Sequence, residues 1–166
     1  MPPTTTPVID PQSLELEHWQ EGSFFESRDA SFGAMLGLRD LGISYGEVPP
    51  GKSGCPFHNH HIEEELFIIL SGEGEYRLGD KRHAVKAGDV LGAPAGGPET
   101  AHHLINTGTT PLKYLGISAN AKAEIVEYPD SGKFLAKARG VDGKRVFRFV
   151  GRRESETDYW DGEPGI

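Results

Sequence analysis

Five of the seven histidines in this 166-residue chain lie in two short clusters whose residue types could do chemistry. His58 and His60 are two residues apart on a predicted short strand, so their side chains point to the same face. Glu65 follows at an odd offset and shares that face only if a turn through residues 61–64 resets the alternation. His102 comes from a distant predicted strand. Three imidazoles and one carboxylate meeting inside a small barrel would make a nitrogen and oxygen metal site.

This donor set suits Fe, Mn, Ni, Co or Zn, so the predicted cofactor is a divalent transition metal whose identity stays open. Four protein ligands on an octahedral ion leave two positions for water, substrate or O₂. The ion could then act as a Lewis acid or activate a water molecule. His61 and His103 have the opposite parity to their neighbours, so we predict that they face away from the barrel interior or lie in loops.

Other residues near the clusters have structural interpretations. We predict that Cys55 is a small buried apolar group and that Glu63 and Glu64 form a solvated turn. Asn106 is predicted to serve the turn that ends its strand, although its amide could instead orient a metal ligand. Tyr128 could close the mouth of a barrel or dock on a neighbouring chain.

The elements that must position these residues are predicted to be short strands. Apolar runs alternate with turn residues at intervals of about eight to twelve residues, which is typical of a β-sandwich or barrel. Gly79-Asp80 between two runs indicates a hairpin turn, and helical spacing is weak and confined to Leu14–Trp19. The runs are Phe32–Leu38, Ile43–Val48, Phe57–His60, Glu65–Leu70, Glu75–Leu78, His83–Val85, Val90–Ala93, His102–Ile105, Leu112–Ile117 and Ala123–Tyr128.

The two clusters together resemble the two motifs of the cupin superfamily. The segments Gly37–Gly42, Val48–Gly51, Glu127–Asp130 and Tyr159–Glu163 also look like parts of small single-domain bacterial cupins. The first motif is matched by His58, His60, Glu65 and Gly72. Glu65 fits better than Glu64, because six residues separate it from Gly72. The second motif is matched by Gly88, Pro94, Gly96, His102 and Asn106.

Two spacings depart from the family pattern. Gly51 precedes His58 by one residue more than usual, and five residues separate Gly96 from His102 where the pattern has two. The extra residues among 97–101 predict a longer loop at the barrel mouth. His103 therefore stays open as an alternative fourth ligand.

The resemblance implies an all-β fold of the double-stranded β-helix or jelly-roll type. The barrel would span residues 30–128, between an N-terminal arm over 1–29 and a C-terminal extension over 129–166. The extension, with seven acids and eight bases, is nearly neutral, so the acidic excess lies in the first two parts. It contains one alternating segment, Arg145–Val150, and either runs over the surface of a domain or partner, or is frayed.

The resemblance also implies a metal-dependent enzyme acting on a small polar molecule, such as a sugar or sugar-phosphate isomerase or epimerase. The ion would polarise an oxygen while a carboxylate or histidine moves a proton. An Fe(II)-dependent dioxygenase, a non-catalytic protein that binds a small ligand, and a structural protein are the alternatives. Homodimers are common among cupins, so we expect one here. A phosphorylated substrate would require a cation in the pocket, with candidates Lys52, Arg39, Arg77 and Lys113.

The composition limits other classes of function. With 25 acidic and 17 basic residues the net charge is −8, which disfavours non-specific nucleic-acid binding. No apolar run approaches the ~18 residues of a membrane span, and the N-terminus lacks the basic and apolar regions of a signal peptide. We therefore expect a cytoplasmic protein with neither nucleic-acid nor membrane partners. The single cysteine allows no internal disulfide.

Overall fold

The computed structural model describes residues 5–165, and most regular structure in it is β-strand. The strands are β1 (Glu17–Glu21), β2 (Phe25–Ser31), β3 (Leu41–Val48), β4 (Asn59–His60), β5 (Glu65–Ser71), β6 (Glu73–Leu78), β7 (Lys81–Lys86), β8 (Val90–Ala93), β9 (His102–Ile105), β10 (Leu112–Ala119), β11 (Ala123–Tyr128), β12 (Lys133–Arg139) and β13 (Arg145–Arg152). Short 3₁₀ helices span Pro11–Ser13, Gly33–Leu36, Pro98–Thr100 and Arg153–Ser155. The first four residues of the predicted arm and Ile166 lie outside the described residues.

Two curved layers of strands form the barrel. One layer is a six-stranded sheet in the order β1-β2-β3-β10-β5-β8. The other contains a four-stranded sheet, β13-β12-β11-β4, and a three-stranded sheet, β7-β6-β9. An isolated bridge between His58 and His102 joins these two sheets through reciprocal backbone hydrogen bonds of 3.1 and 2.7 Å. The predicted all-β barrel of the double-stranded β-helix type is confirmed.

Alternating side chains from both layers fill the core. Its buried members are Val48, Ile69, Tyr76, Val85, Leu91, Leu104 and Leu112. Tyr114 packs against them and lies directly over Gly46, where an added Cβ would come within 2.8 Å of the tyrosine ring. Such an approach requires glycine in the neighbouring strand. Gly79 has a φ of 55° in the turn between β6 and β7, which confirms the predicted hairpin.

Two local predictions were wrong, and one strand was missed. The run Phe32–Leu38 is largely the 3₁₀ helix Gly33–Leu36, because Gly37 with a φ of 80° closes a helical turn. The weak helical pattern of Leu14–Trp19 instead leads into β1, which pairs along its whole length with β2. Strand β12 was not predicted, because its apolar residues alternate with lysines on a half-buried face.

Strands β1 and β2 extend the six-stranded sheet, and β12 and β13 extend the four-stranded one. The division into arm, barrel and extension at residues 30 and 128 stays a proposal. Among the described residues, no helix has the length and apolar character needed to cross a membrane.

Candidate metal centre

The structure brings His58, His60, Glu65 and His102 together where the two layers meet. One potential ligand atom from each lies within 4.8 Å of all the others. The Glu65 Oε2 atom is 3.1 Å from the Nε2 of His102, 3.4 Å from that of His60 and 3.9 Å from that of His58. The turn through residues 61–64 resets the strand alternation, so Glu65 on β5 faces the histidines of the opposite layer.

Hydrogen bonding prepares the His58 imidazole as a ligand. Its Nδ1 lies 2.8 Å from the Pro56 carbonyl oxygen, which can only accept, so Nδ1 carries the proton. Nε2 then presents a lone pair to the cluster. Burial, together with the neighbouring His102 and His60, lowers the pKa of His58 to about 3, so its imidazole is neutral near pH 7.

The Glu65 carboxylate is held in its charged form. Burial alone would raise its pKa, but the hydrogen bond with His102 and the nearby His60 imidazole outweigh burial and hold this pKa well below the usual range. The side chain is 20 % exposed, whereas that of His102 is 3 % exposed. An ionised carboxylate beside three imidazoles is a donor set that fits Fe, Mn, Ni, Co or Zn.

The His60 side chain is only 9 % exposed, and both of its ring nitrogens are buried without a hydrogen-bond partner. Buried imidazole nitrogens are normally satisfied, so these two atoms are consistent with a site that takes a further group. Nε2 faces Glu65. Nδ1 lies 3.6 Å from Glu124 Oε2 and 3.8 Å from Glu63 Oε2.

Glu63 and Glu124 form a buried carboxylate pair behind His60. The Glu124 side chain accepts hydrogen bonds from the backbone amides of residues 61, 62, 63 and 125. Glu63 accepts from the amide of Ala121 and from Lys137 Nζ at 3.0 Å. The predicted solvated turn at Glu63 was therefore wrong, since the carboxylate is 5 % exposed and compensated by a lysine.

Aromatic side chains line the cluster. The ring of Tyr128 stacks on His58 at 6.1 Å between centroids, and Lys133 Nζ lies 5.0 Å from the Tyr128 ring. On the other side, Phe67 and Tyr76 lie 5.8 and 6.3 Å from the His102 ring. Burial raises the pKa of Tyr128, so its hydroxyl is protonated near neutral pH.

The remaining histidines lie outside the cluster. His103 faces the outside of β9, where Phe24 and Phe25 cover it at 5.9 and 6.4 Å between ring centroids. The structure thus brings His102, and not His103, to the other three residues. His61 is exposed and pairs with Glu127 at 3.1 Å.

Asn106 and Cys55 lie outside the cluster of four potential ligands. The Asn106 amide donates to the carbonyl oxygens of Val48 and Thr110, and its oxygen accepts from Gly108, which matches the predicted turn role. Burial raises the pKa of the Cys55 thiol to about 12, so the thiol stays protonated. The helical turn Pro98–Thr100 occupies the predicted longer loop before His102.

The cations predicted for a phosphate lie outside the pocket. Lys113 pairs with Glu47 at 2.9 Å on the outer face of the barrel. Arg77 also lies on the outer face, where it pairs with Asp130 and stacks on a phenylalanine ring. Lys52 donates to the Ser23 carbonyl, and Arg39 is exposed in a loop. Strand parity explains why Lys113 and Arg77 lie on the outer face, because each alternates with inward-facing neighbours along its strand.

Part of the chain is similar to known proteins. Residues 44–118 match the family model described as Cupin domain. An uncharacterized protein from Methanocaldococcus jannaschii is 40% identical over 68 residues, covering 41% of this chain and 52% of that protein. An oxalate-binding protein from Thermotoga maritima is 38% identical over 71 residues, covering 43% of this chain and 55% of that protein. The chain thus spans about half the length of these curated relatives.

Solved structures resemble a larger part of the chain. A proposed sugar phosphate isomerase from Acidithiobacillus ferrooxidans has a TM-score of 0.75 and 26% identity, and the match covers 91% of this chain and 95% of that chain. A predicted oxalate decarboxylase from Thermotoga maritima has a TM-score of 0.57 and 29% identity, with coverage of 68% and 97%. The first similarity includes most of the residues beyond the barrel as well.

Proposed function

We propose that this chain, whose residues 44–118 match the family model described as Cupin domain, is a metal-dependent enzyme that acts on a small polar molecule. His58, His60, Glu65 and His102 would hold a divalent transition metal. The reaction we propose is an isomerisation or epimerisation of a sugar or sugar phosphate. The similarity to a proposed sugar phosphate isomerase over 91% of the chain supports this reaction class.

The observation that carries the proposal is the convergence of four donor atoms within 4.8 Å, on side chains that are at most 20 % exposed. Burying three imidazoles and a carboxylate together is costly unless their polar atoms are satisfied. His60 has two unsatisfied nitrogens. A metal ion would satisfy the donors and also compensate the charge of Glu65.

When bound, the metal would supply Lewis-acid polarisation of a substrate oxygen. The protein would orient that substrate between Phe67 on one side and Tyr128 on the other, and these rings would exclude water. Tyr128 contacts His58 without belonging to the proposed ligand set. Because the phenol stays protonated near neutral pH, its O–H is our candidate for donating a hydrogen bond to the substrate oxygen. Lys133, beside the Tyr128 ring, is the cation we propose for an anionic substituent.

Metal content is the first test. Protein purified without chelator or affinity tag should contain about one transition-metal ion per chain by mass spectrometry. His60→Ala should lose the metal, whereas His61→Ala should retain it, because His61 points away and pairs with Glu127. A wild-type protein that takes up no transition metal, even after dialysis against each candidate ion, would overturn the metal site.

Turnover is the second test. Metal-loaded protein should convert at least one member of a panel of sugar phosphates, with the product identified by NMR. Tyr128→Phe should lower kcat by about 10²–10³ while the metal content stays unchanged. Absence of turnover on the whole panel by protein with full metal content would contradict the isomerase assignment but leave the metal site standing.

The second candidate is a protein that binds a small dicarboxylate without converting it. The oxalate-binding relative, 38% identical over 71 residues, favours this alternative. Calorimetry with oxalate on metal-loaded protein separates the two candidates. Tight binding of oxalate that requires His60, without any product from oxalate or the sugar phosphates, would favour binding over catalysis.

A further inference from the structure

Strand β13 is an exposed edge of the four-stranded sheet. It hydrogen-bonds to β12 on one side, and within residues 5–165 no strand pairs with its other side. An unpaired edge presents free backbone donors and acceptors that another strand can use. The eight residues of β13 offer such bonding over about 25 Å.

Cations stand opposite cations on one face of the β12–β13 hairpin. The opposed cationic pairs are Lys133↔Arg152, Lys137↔Arg148 and, beyond a bulge, Arg139↔Arg145. Directly opposed residues share a face, and like charges in this position destabilise the strand pair. Glu63 compensates Lys137. In the part of the chain that the structure describes, the three arginines of β13 make no ion pair, so this face is suited to an acidic partner.

The opposite face of the hairpin is apolar and equally open. Phe147 and Phe149 lie opposite Ala138 and Ala136, and their side chains are 53% and 43% exposed. Exposed aromatic side chains in a row are typical of an interaction surface. The edge therefore combines free backbone groups with arginines on one face and aromatic rings on the other.

The segment that follows β13 has the complementary chemistry. Residues 154–163 contain five acids and no base, whereas residues 133–153 contain eight bases and one acid. Tyr159 and Trp160 are 83% and 59% exposed. Among the described residues, the hydrogen bonds of 157–165 stay inside that segment. The segment is thus acidic, partly aromatic and without a bond to its own barrel.

We propose that residues 156–161 of a second copy of this chain add to β13 as a further strand. In the structure a turn follows Asp158, closed by the hydrogen bond from the Asp161 amide to the Asp158 carbonyl, and this turn would open on pairing. Side chains alternate in the resulting extended strand, so Glu156 and Asp158 fall on one face and Thr157 and Tyr159 on the other. Beside β13, the two acids meet the arginine face and Tyr159 lies on the face that carries Phe147. Main-chain hydrogen bonds supply the affinity, and the side chains on each face fix the register.

A second copy is the occupant because each chain carries one basic edge and one acidic segment. A two-fold dimer pairs both edges with both segments at once. Within a single chain, the segment leaves β13 at its end and forms no ladder with it in the structure. Opposite charges across such an interface accelerate association and disfavour other partners. This dimer does not depend on the metal centre.

Charge reversal followed by mixing tests the proposal. Full-length wild type should sediment as a dimer at micromolar concentration. Both Arg148→Glu with Arg152→Glu and Glu156→Lys with Asp158→Lys should weaken dimerisation by at least about tenfold. Mixing the two reversed proteins should restore a dimer containing one of each, because acidic edge then meets basic segment and basic edge meets acidic segment.

A matched reversal, Lys81→Glu with Lys122→Glu, places the same charge change on exposed lysines elsewhere and should leave the dimer unchanged. Thermal unfolding confirms that each variant is folded. A monomeric wild type overturns the proposal and would point to docking of the segment on its own chain. Undiminished self-association of either reversed protein, or a mixture that stays monomeric, also overturns it.

Discussion

The charged side chains at the two ends of the four-stranded sheet have opposite surroundings. At the inner end, β4 and β11 bury Glu124 completely and satisfy it with four backbone amides. At the outer end, β12 and β13 oppose cation to cation, and every residue of β13 except Gly151 is exposed. Hydrogen-bonded strand pairs connect the two ends.

The difference lies in what covers the sheet. The six-stranded layer covers the inner end and sends Glu65 across to the histidines, so every buried charge there must be compensated. Within residues 5–165 no strand covers the outer side of β13, so solvent screens its arginines, and their repulsion costs little. One sheet can therefore hold a buried polar site at one end and an open, charged surface at the other.

The largest expected difference in stability between the two ends of the sheet is at Glu124. Glu124→Gln should lower the free energy of unfolding by about 3 kcal/mol, because several buried amides lose a charged acceptor. Arg148→Gln, at the exposed end, should change it by less than about 0.5 kcal/mol. Urea unfolding of both variants at one pH checks the pair, and equal effects would show that the two ends do not differ energetically.

Lys137 and Arg148 stand opposite each other and allow a closer comparison. Lys137→Gln should cost about 1–2 kcal/mol, because it leaves the Glu63 carboxylate buried without its ammonium partner. The cost is moderate because the lysine is 30% exposed. A double variant, Lys137→Gln with Glu63→Gln, should recover part of the loss. If it recovers nothing, the ion pair contributes no stability.

His103 extends the comparison to a buried group on the outer face of β9. Burial, with the nearby Arg77 cation, lowers its pKa from 6.5 to about 4. Between these values the unfolded chain binds more protons than the folded chain, so stability is complete above pH 6.5 and falls as the pH drops towards 4. His103→Gln should flatten that dependence, as measured by urea unfolding at pH 7.5, 6 and 5. An unchanged slope would contradict the assignment.

The smallest expected effect is an increase in stability on substituting a residue at the exposed end of the sheet. Arg148→Glu places a carboxylate opposite Lys137 and should raise the stability of the monomer by about 0.5 kcal/mol, since an opposed like-charge pair becomes an attractive one. The measurement requires dilution to where the chain is monomeric, because dimerisation adds its own stability. A loss of stability would mean that Glu63 already engages Lys137 so fully that the Lys137–Arg148 pair is not repulsive.

The convergence of His58, His60 and Glu65 was predictable because these three residues lie close together in the sequence. His58 and His60 share a face by strand parity, and the turn that resets the parity before Glu65 is four residues long. The supporting carboxylates were not predictable in the same way. Glu63 lies in a run of three glutamates that reads as a solvated turn, and its neighbour Glu124 is 61 residues away. Such pairing depends on packing between layers, which local pattern does not encode.

The basic character of the β12–β13 hairpin was not evident from the net charge of the whole C-terminal extension. Over residues 129–166 the charges nearly cancel, yet 133–153 are strongly basic and 154–163 strongly acidic. Strand β12 escaped prediction because its lysines occupy the half-buried face that normally carries apolar side chains. The register with β13 then converts a dispersed set of cations into opposed pairs.

By itself, the sequence determined the all-β barrel and the residue types of the histidine and glutamate cluster, because alternation, turn residues and short motif spacings are local properties. Only the tertiary structure decided that His102 joins the cluster while His103 faces outward beneath Phe24, and that Lys137 compensates Glu63. It also decided which end of the four-stranded sheet is covered. These outcomes depend on which strands become neighbours and on which sheet faces the second layer covers. Neither can be read from the separation of residues in the sequence.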